Sequence, residues 1–198
     1  MIAALVLAAG ASRRMGSPKM LLPLPGGKTV LRSCVDPLLE AGLERVVVVL
    51  GCEAARVRSE AGLPEDPRLS VVVNERWREG MSASLARGIE ACADAEAALV
   101  ALGDQPSLTA SRVRRILEAY RPGARLVVPA ADGVSSHPVL FSRALFQELR
   151  ALSGDAGARE VIRAHWNEAV QVPLEALEDV DTPEDYGRIA GSSGDVLP

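Results

Sequence analysis

The stretch Ile2-Ala3-Ala4-Leu5-Val6-Leu7-Ala8-Ala9-Gly10-Ala11-Ser12-Arg13-Arg14-Met15-Gly16-Ser17-Pro18-Lys19 joins two kinds of sequence without a break. Ile2 to Leu7 is apolar without alternation, as expected of a strand covered on both faces. From Ala8 onward the residues are small, then cationic, and include Gly16 and Pro18, which interrupt regular structure. A buried strand running straight into such a loop puts the loop at the carboxyl edge of a sheet, where open α/β sheets hold ligands. Small residues from Ala8 to Ala11 let the backbone approach a ligand closely, and its N–H groups can cradle phosphate oxygens. Arg13, Arg14 and Lys19 add positive charge suited to a polyphosphate.

Neither of the two commonest phosphate loops is present. In G-x-x-x-x-G-K-[ST], Gly10 would need Gly at position 15 and Lys at 16, but Met15 and Gly16 stand there; Gly27-Lys28-Thr29 has the right ending, but Leu22 stands where the first glycine belongs. The dinucleotide pattern G-x-G-x-x-G fails because Ala11 and Ser12 succeed Gly10.

Outward from this loop, Arg45–Leu50, Leu69–Val73 and Ala97–Leu102 repeat the buried-strand pattern. Thr29–Ala41, Met81–Cys92 and Thr109–Tyr120 lie between or after them with apolar spacing near 3.6. Gly42 suits the C′ position of the first, and Thr109 or Ser107 suits the cap of the third. The alternation predicts an α/β fold, a three-layer αβα arrangement on a mostly parallel, Rossmann-like sheet. After Tyr120 the rhythm changes. Arg125–Pro129 and His137–Phe141 read as strands, the second a candidate for antiparallel pairing, then Ser142–Leu152 and Ala156–Ala164 as helices. Ala169–Val172 reads as a strand, and Thr182-Pro183-Glu184-Asp185 opens a capped helix to Ile189. We expect one domain over 1–191, divided into halves 1–120 and 121–191, with 192–198 a frayed tail.

Composition narrows the chemistry. The 198 residues carry 22 Lys+Arg against 26 Asp+Glu, with six aromatic residues and 30 alanines. A net charge of −4 and few rings argue against nucleic-acid binding. No apolar run reaches the ~18 residues of a membrane span. No basic residue precedes the first apolar run, so it reads as a strand and not a signal peptide, and the expected location is the cytoplasm. Cys34, Cys52 and Cys92 have no metal or C-x-x-C spacing and read as reduced thiols.

Other candidate residues sit at strand ends. Asp104 comes just after the strand Ala97–Leu102, and a hard carboxylate there suits Mg²⁺ on phosphate oxygens. Asp179 and Asp181 share a face if their segment is extended, and could complete a metal site or simply open the capped helix. Asn74 ends the third strand. Gly80 precedes a helix whose free N–H groups and hydroxyls, Ser82 and Ser84, could read a base or cap the helix. His137 precedes Pro138, as structural histidines often do. Asp155 reads locally as an N-cap.

Together Leu7-Ala8-Ala9-Gly10-Ala11-Ser12-Arg13-Arg14-Met15-Gly16-Ser17-Pro18-Lys19, Gly103-Asp104-Gln105-Pro106, Gly80-Met81-Ser82-Ala83-Ser84-Leu85 and Asp179-Val180-Asp181-Thr182-Pro183-Glu184-Asp185 resemble the MobA-like nucleotidyltransferases of the molybdenum-cofactor type, and within them the molybdenum cofactor cytidylyltransferases. The likeness runs over about Met1 to Ile189. It implies a sheet of the nucleotide-diphospho-sugar transferase type. It also implies transfer of a CMP, or other NMP, group from the NTP to a phosphorylated acceptor, with CTP and molybdopterin as the expected pair and pyrophosphate released. The Ala-Ala-Gly form of the loop is associated with CTP. Carried over by motif, Leu7, Ala8, Ala9, Gly10, Ala11, Ser12, Arg14, Lys19, Asn74, Gly80, Ser82, Ser84, Gly103 and Asp104 face the nucleotide. Lys19, Arg14 and Asp104 form the catalytic set and Asp104 and Asp181 the Mg²⁺ ligands; His137, in Ser136-His137-Pro138-Val139-Leu140-Phe141, and Asp155 and Arg159, in Gly154-Asp155-Ala156-Gly157-Ala158-Arg159, form the acceptor side. Ser136 stands where related chains have glycine, and this leaves the acceptor open. The implied partners are small molecules, with a molybdoenzyme or its maturation chaperone downstream. Competing readings are a nucleotidyltransferase for another phosphate or sugar phosphate, an NAD-linked oxidoreductase, and a non-catalytic nucleotide sensor.

Overall fold

The computed structural model describes residues 1–131 and 133–191; the tail expected at 192–198 lies outside the described residues. Among the described residues eight strands form one sheet: β1 (Ile2–Ala8), β2 (Arg45–Leu50), β3 (Leu69–Val73), β4 (Ala97–Leu102), β5 (Leu126–Ala131), β6 (Val134–Ser135), β7 (Val139–Ser142) and β8 (Val170–Pro173). Their order is β3-β2-β1-β4-β7-β5-β6, with β8 also paired to β5. β1 is central, its Ala4 opposite Val46 of β2 on one side and Leu99 of β4 on the other, both parallel. β7 runs antiparallel between β4 and β5.

Strand periodicity divides the core into two layers. Ala4 and Val6 pack with Leu31, Val35 and Leu38 of α1 (Val30–Glu40), Val57 of α2 (Ala54–Glu60), and Val113 and Ile116 of α4 (Ala110–Ala119). Ala3 and Leu5 face the other way. They join Leu85 and Ile89 of α3 (Met81–Ala91), Phe146 and Leu149 of α5 (Phe146–Ala151), and Val161 and Ile162 of α6 (Arg159–Ala164). This is the expected αβα layering. The small residues serve it: a Cβ on Gly88 of α3 would overlap Leu5 Cδ1, so the helix lies directly on the central strand.

Thr29 and Thr109 cap α1 and α4, each accepting the N–H three residues on at 3.2 Å. Gly42 takes the left-handed conformation that closes α1, φ +89°. Three expectations need correction. Ser142–Leu152 is not one helix, because a 3₁₀ turn over Arg143–Leu145 precedes α5. The helix expected from Ala156 begins only at Arg159, since Gly157 takes φ +56° and breaks the first turn. Asp155 therefore caps nothing; Ala158 holds the N-cap position, without a side-chain bond. The short elements α2 and β6, too brief to show a period, escape the sequence pattern. Helix α7 spans Pro183–Gly191.

Candidate active site

Because β1, β2, β3 and β4 are mutually parallel, the loops after Ala8, Leu50, Val73 and Leu102 emerge on one edge. Pairing continues into them. Gly103 N donates to Leu7 O at 2.9 Å, Cys52 N to Ala9 O at 3.1 Å, and Asn74 N to Leu50 O at 2.8 Å. The loop after β1 is braced by its own serine, whose Oγ accepts Lys19 N at 3.0 Å, so Ser12 sets the backbone at Lys19. A Cβ at Gly10 would meet nothing within 4 Å, so the loop faces open space there. A Cβ at Gly103 would stand 2.9 Å from Ala8 Cβ, which is why the Asp104 loop can lie against the first loop.

Lys19 is the centre of the charged cluster. Its Nζ lies 2.5 Å from Asp104 Oδ2 and 2.9 Å from Asp181 Oδ1. Arg14 Nη2 reaches Asp181 Oδ2 at 3.0 Å. Burial alone would lower the Lys19 ammonium, but the two carboxylates outweigh it and its pKa stands above the ordinary lysine value. The hydrogen bond from Lys19, together with the charges of Lys19 and Arg14, holds Asp181 below the usual carboxylate range. Val180 explains the placement of its neighbours. Its side chain is fully buried and its N–H donates to Asp104 O at 2.9 Å, which brings Asp179 and Asp181 to the Asp104 loop. Asp179 does not join Lys19. It accepts from Gln105 Nε2 at 2.7 Å, and burial, with the negative charges of Asp104 and Asp181, raises its pKa.

Two carboxylate oxygens that converge on one ammonium can converge on one divalent cation, and hard oxygens suit Mg²⁺ or Mn²⁺. Among the described residues, no group of three or more His, Cys, Asp or Glu side chains could hold such an ion unaided. The donor set therefore fits a metal whose remaining ligands come from water and phosphate oxygens.

The side expected to face a base is tightly built. Asn74, Ser82 and Ser84 are all buried. Asn74 Nδ2 donates to Ser84 Oγ at 3.0 Å and its Oδ1 accepts Arg76 N at 3.0 Å. Ser82 donates through Oγ at 2.7 Å and through N at 3.1 Å to Gly154 O. Neither hydroxyl caps α3, whose N-cap is Gly80. Gly80 has φ +111°, and a Cβ there would overlap Gly154 O and stand 2.8 Å from Asp155 Oδ1. The segment 154–157, carrying Asp155, thus docks onto the start of α3. His137 is joined to Pro138 by a cis peptide. Burial pushes its imidazole down to about 4, and the nearby positive charge of Arg159 adds to this.

Gly51, Cys52 and Glu53 are also brought here; Cys52 and Glu53 line a small recess with Gly10, Ala11 and Ser12. A Cβ on Gly51 would meet Trp77 Cβ at 2.6 Å and Ala9 O at 2.7 Å, so Trp77 walls this side. The sequence signal for them is their position directly after β2, the same kind of strand end that marks Gly10 and Asp104.

A cationic loop after β1 held against an acid after β4 at one sheet edge suits nucleotidyl transfer. Residues 4–170 match the MobA-like NTP transferase domain, and the chain belongs to that family. It is 36% identical over 200 residues to nicotine blue oxidoreductase of Paenarthrobacter nicotinovorans, covering 95% of this chain and 96% of that one. It is 25% identical over 183 residues to molybdenum cofactor cytidylyltransferase of Escherichia coli (strain K12), covering 92% of each. Among solved structures, Rv0371c of Mycobacterium tuberculosis H37Rv superposes with a TM-score of 0.82 at 33% identity, over 96% of this chain and 98% of that one. A complex of Rv0371c with manganese superposes at 0.77, with 31% identity over 96% and 98% of the two chains. Asp179 and Asp181 lie beyond the matched domain span. Among the described residues no helix is long and apolar enough to cross a membrane.

Proposed function

We propose that this nucleotidyltransferase moves CMP from CTP to a terminal phosphate of molybdopterin, releasing pyrophosphate. The observation that carries the reading is the Lys19–Asp104–Asp181 cluster beside the open loop at Gly10. In the reaction, an acceptor phosphate oxygen bonds to the α-phosphorus. The bond from that phosphorus to the α–β bridging oxygen breaks, and pyrophosphate leaves with the electron pair. A phosphate nucleophile is already ionised near neutral pH, so no strong general base is needed. Catalysis rests on positioning and on neutralising charge. Leu7, Ala8, Ala9, Gly10, Ala11 and Ser12 supply the backbone cradle. Lys19 and Arg14 turn from the carboxylates to the phosphates, and Asp104 and Asp181 hold Mg²⁺. When bound, that ion neutralises charge across the phosphate oxygens. Gly103 keeps the Asp104 loop close. Asn74, Gly80, Ser82 and Ser84 form the base side, with the hydroxyls shaping the wall. His137, Asp155 and Arg159 form the acceptor side. His137 is neutral near pH 7, which leaves Arg159 as the cation for an anionic acceptor.

We place the reaction in the cytoplasm, within one domain over 1–191 whose first 120 residues serve the nucleotide and the rest the acceptor. The product would pass to a molybdoenzyme or its maturation chaperone. A second reading keeps the nucleotide half and changes the acceptor to another small phosphate or sugar phosphate. The differing names of the relatives point to no single acceptor. Pyrophosphate release from each of four NTPs, with molybdopterin and with simpler phosphates, tests both. CTP with molybdopterin should be the productive pair. Release with GTP would overturn the base assignment, and release only with a simpler phosphate would favour the second reading.

A further inference from the structure

We propose that Arg112 is a positioning residue that holds the His137 segment in register with the Asp104 loop; the inference rests on the reading of His137 as facing the acceptor. Arg112 lies in the first turn of α4, whose cap, Thr109, comes directly after the loop Gly103–Leu108. Its residue exposure is only 8%, and among the described residues no carboxylate pairs with it. Burial lowers its pKa, and the like charge of Arg115 adds to the effect. The first turn of a helix is also its positive end, with no acid there to compensate. A buried cation with no counter-ion, at a helix N-terminus, is a costly arrangement that an apolar side chain of similar length would avoid.

What the guanidinium does in return is specific. Nη2 donates to Ser136 Oγ at 2.9 Å and to the His137 carbonyl at 3.2 Å. Ser136 is itself buried, and its N–H donates to Pro129 O at 2.9 Å. One side chain thus ties the helix that leaves the carboxylate loop to the two residues that set where the His137 ring projects. Arg112 Nε is buried with no partner, so the side chain is aimed for the Nη2 bonds and not for its own full satisfaction. The planar fork suits this task because its donors are fixed relative to each other. Ser136 supplies the hydroxyl that a glycine at that position would lack.

The test uses the full chain with Arg112→Gln, Ser136→Ala and His137→Ala, read in two ways. The first is steady-state pyrophosphate release with CTP and molybdopterin. The second is the imidazole Cε1–H resonance of His137, one of two histidines in the chain, assigned with His165→Gln. Arg112→Gln should raise the KM for molybdopterin tenfold or more, leave the KM for CTP within twofold, and displace the His137 resonance. Ser136→Ala keeps the buried charge and loses one of the two bonds, so it should act in the same direction by less, and it serves if Arg112→Gln does not fold. An unmoved His137 resonance in the folded variants overturns the proposal, as does an equal rise of both KM values. If His137→Ala leaves the KM for molybdopterin unchanged, or molybdopterin is not turned over, the acceptor reading fails. The His137 resonance alone then decides whether Arg112 positions that segment.

Discussion

Lys19 Nζ lies 2.5 Å from Asp104 Oδ2, although 85 positions separate the two residues in the chain. The contact brings the end of the first loop to the loop after β4, and Asp181 joins it from the approach to α7. With Arg14 on Asp181, two cations face two carboxylates in the free protein. In the proposed reaction Lys19 would turn from these carboxylates to the phosphates of the nucleotide.

Removing that cation leaves Asp104 and Asp181 facing each other. Lys19→Ala should destabilise the fold by about 2 kcal/mol, less than the ~3–5 expected for a fully buried pair because Asp181 is partly exposed. Millimolar Mg²⁺ or Mn²⁺ should restore part of the lost Tm by taking the ammonium's place. CTP affinity should fall at least about tenfold, the loss of one charge-assisted bond. Thermal denaturation with and without metal, and calorimetric titration with CTP, measure both; an unchanged CTP affinity removes Lys19 from the site.

Asp104→Ala should lower turnover by about 100-fold or more, as expected when a group that organises transition-state charge is lost. Chelation by EDTA should do the same to the unaltered protein. The far-UV circular dichroism of the variant should stay native, because Val180 N bonds to the Asp104 backbone oxygen and not to its side chain. Full activity in Mg²⁺ would sink the metal assignment.

Gly80→Ala tests the dock between α3 and segment 154–157. The new Cβ would overlap Gly154 O, a backbone atom, at a φ that side chains rarely adopt. Strain and overpacking should together cost about 2 kcal/mol or more. Urea denaturation gives the figure, and a loss below about 0.5 kcal/mol, the range of an ordinary surface substitution, would show that the dock is loose.

His137 predicts a pH dependence of stability. Its ordinary value is 6.5, and burial pushes it down to about 4 in the folded chain. Between those values the unfolded chain binds a proton that the folded chain refuses, so stability falls as pH drops through that window. One such group contributes a slope of at most about 1.4 kcal/mol per pH unit. His137→Gln should flatten the slope by about that amount between pH 6.5 and 4. Matching slopes in the two proteins would mean that the imidazole is protonated in the fold as readily as in water.

Local pattern was sufficient for much of this protein. Unbroken apolar runs named β1 to β4, 3.6-residue spacing named α1, α3 and α4, and the residues after each strand marked Gly10, Asn74 and Asp104. These features depend on neighbours a few positions away, and burial on one face or two writes them directly into the chain. The short pieces carried no period, so α2 and β6 were not visible, and Gly157 moved the start of α6. The roles of side chains were decided over long range. Ser82 and Ser84 carry hydroxyls at a helix start, which reads as capping or base contact. In the fold they are spent on Gly154 and Asn74. Asp179 and Asp181 are two positions apart and chemically alike, yet one meets Gln105 and the other Lys19, because Val180 between them is pinned to the Asp104 loop. Arg112 reads as an ordinary polar position on an amphipathic helix. Only the placement of β7 beside β4, which brings the segment 136–137 over α4, makes it a buried cation with a task.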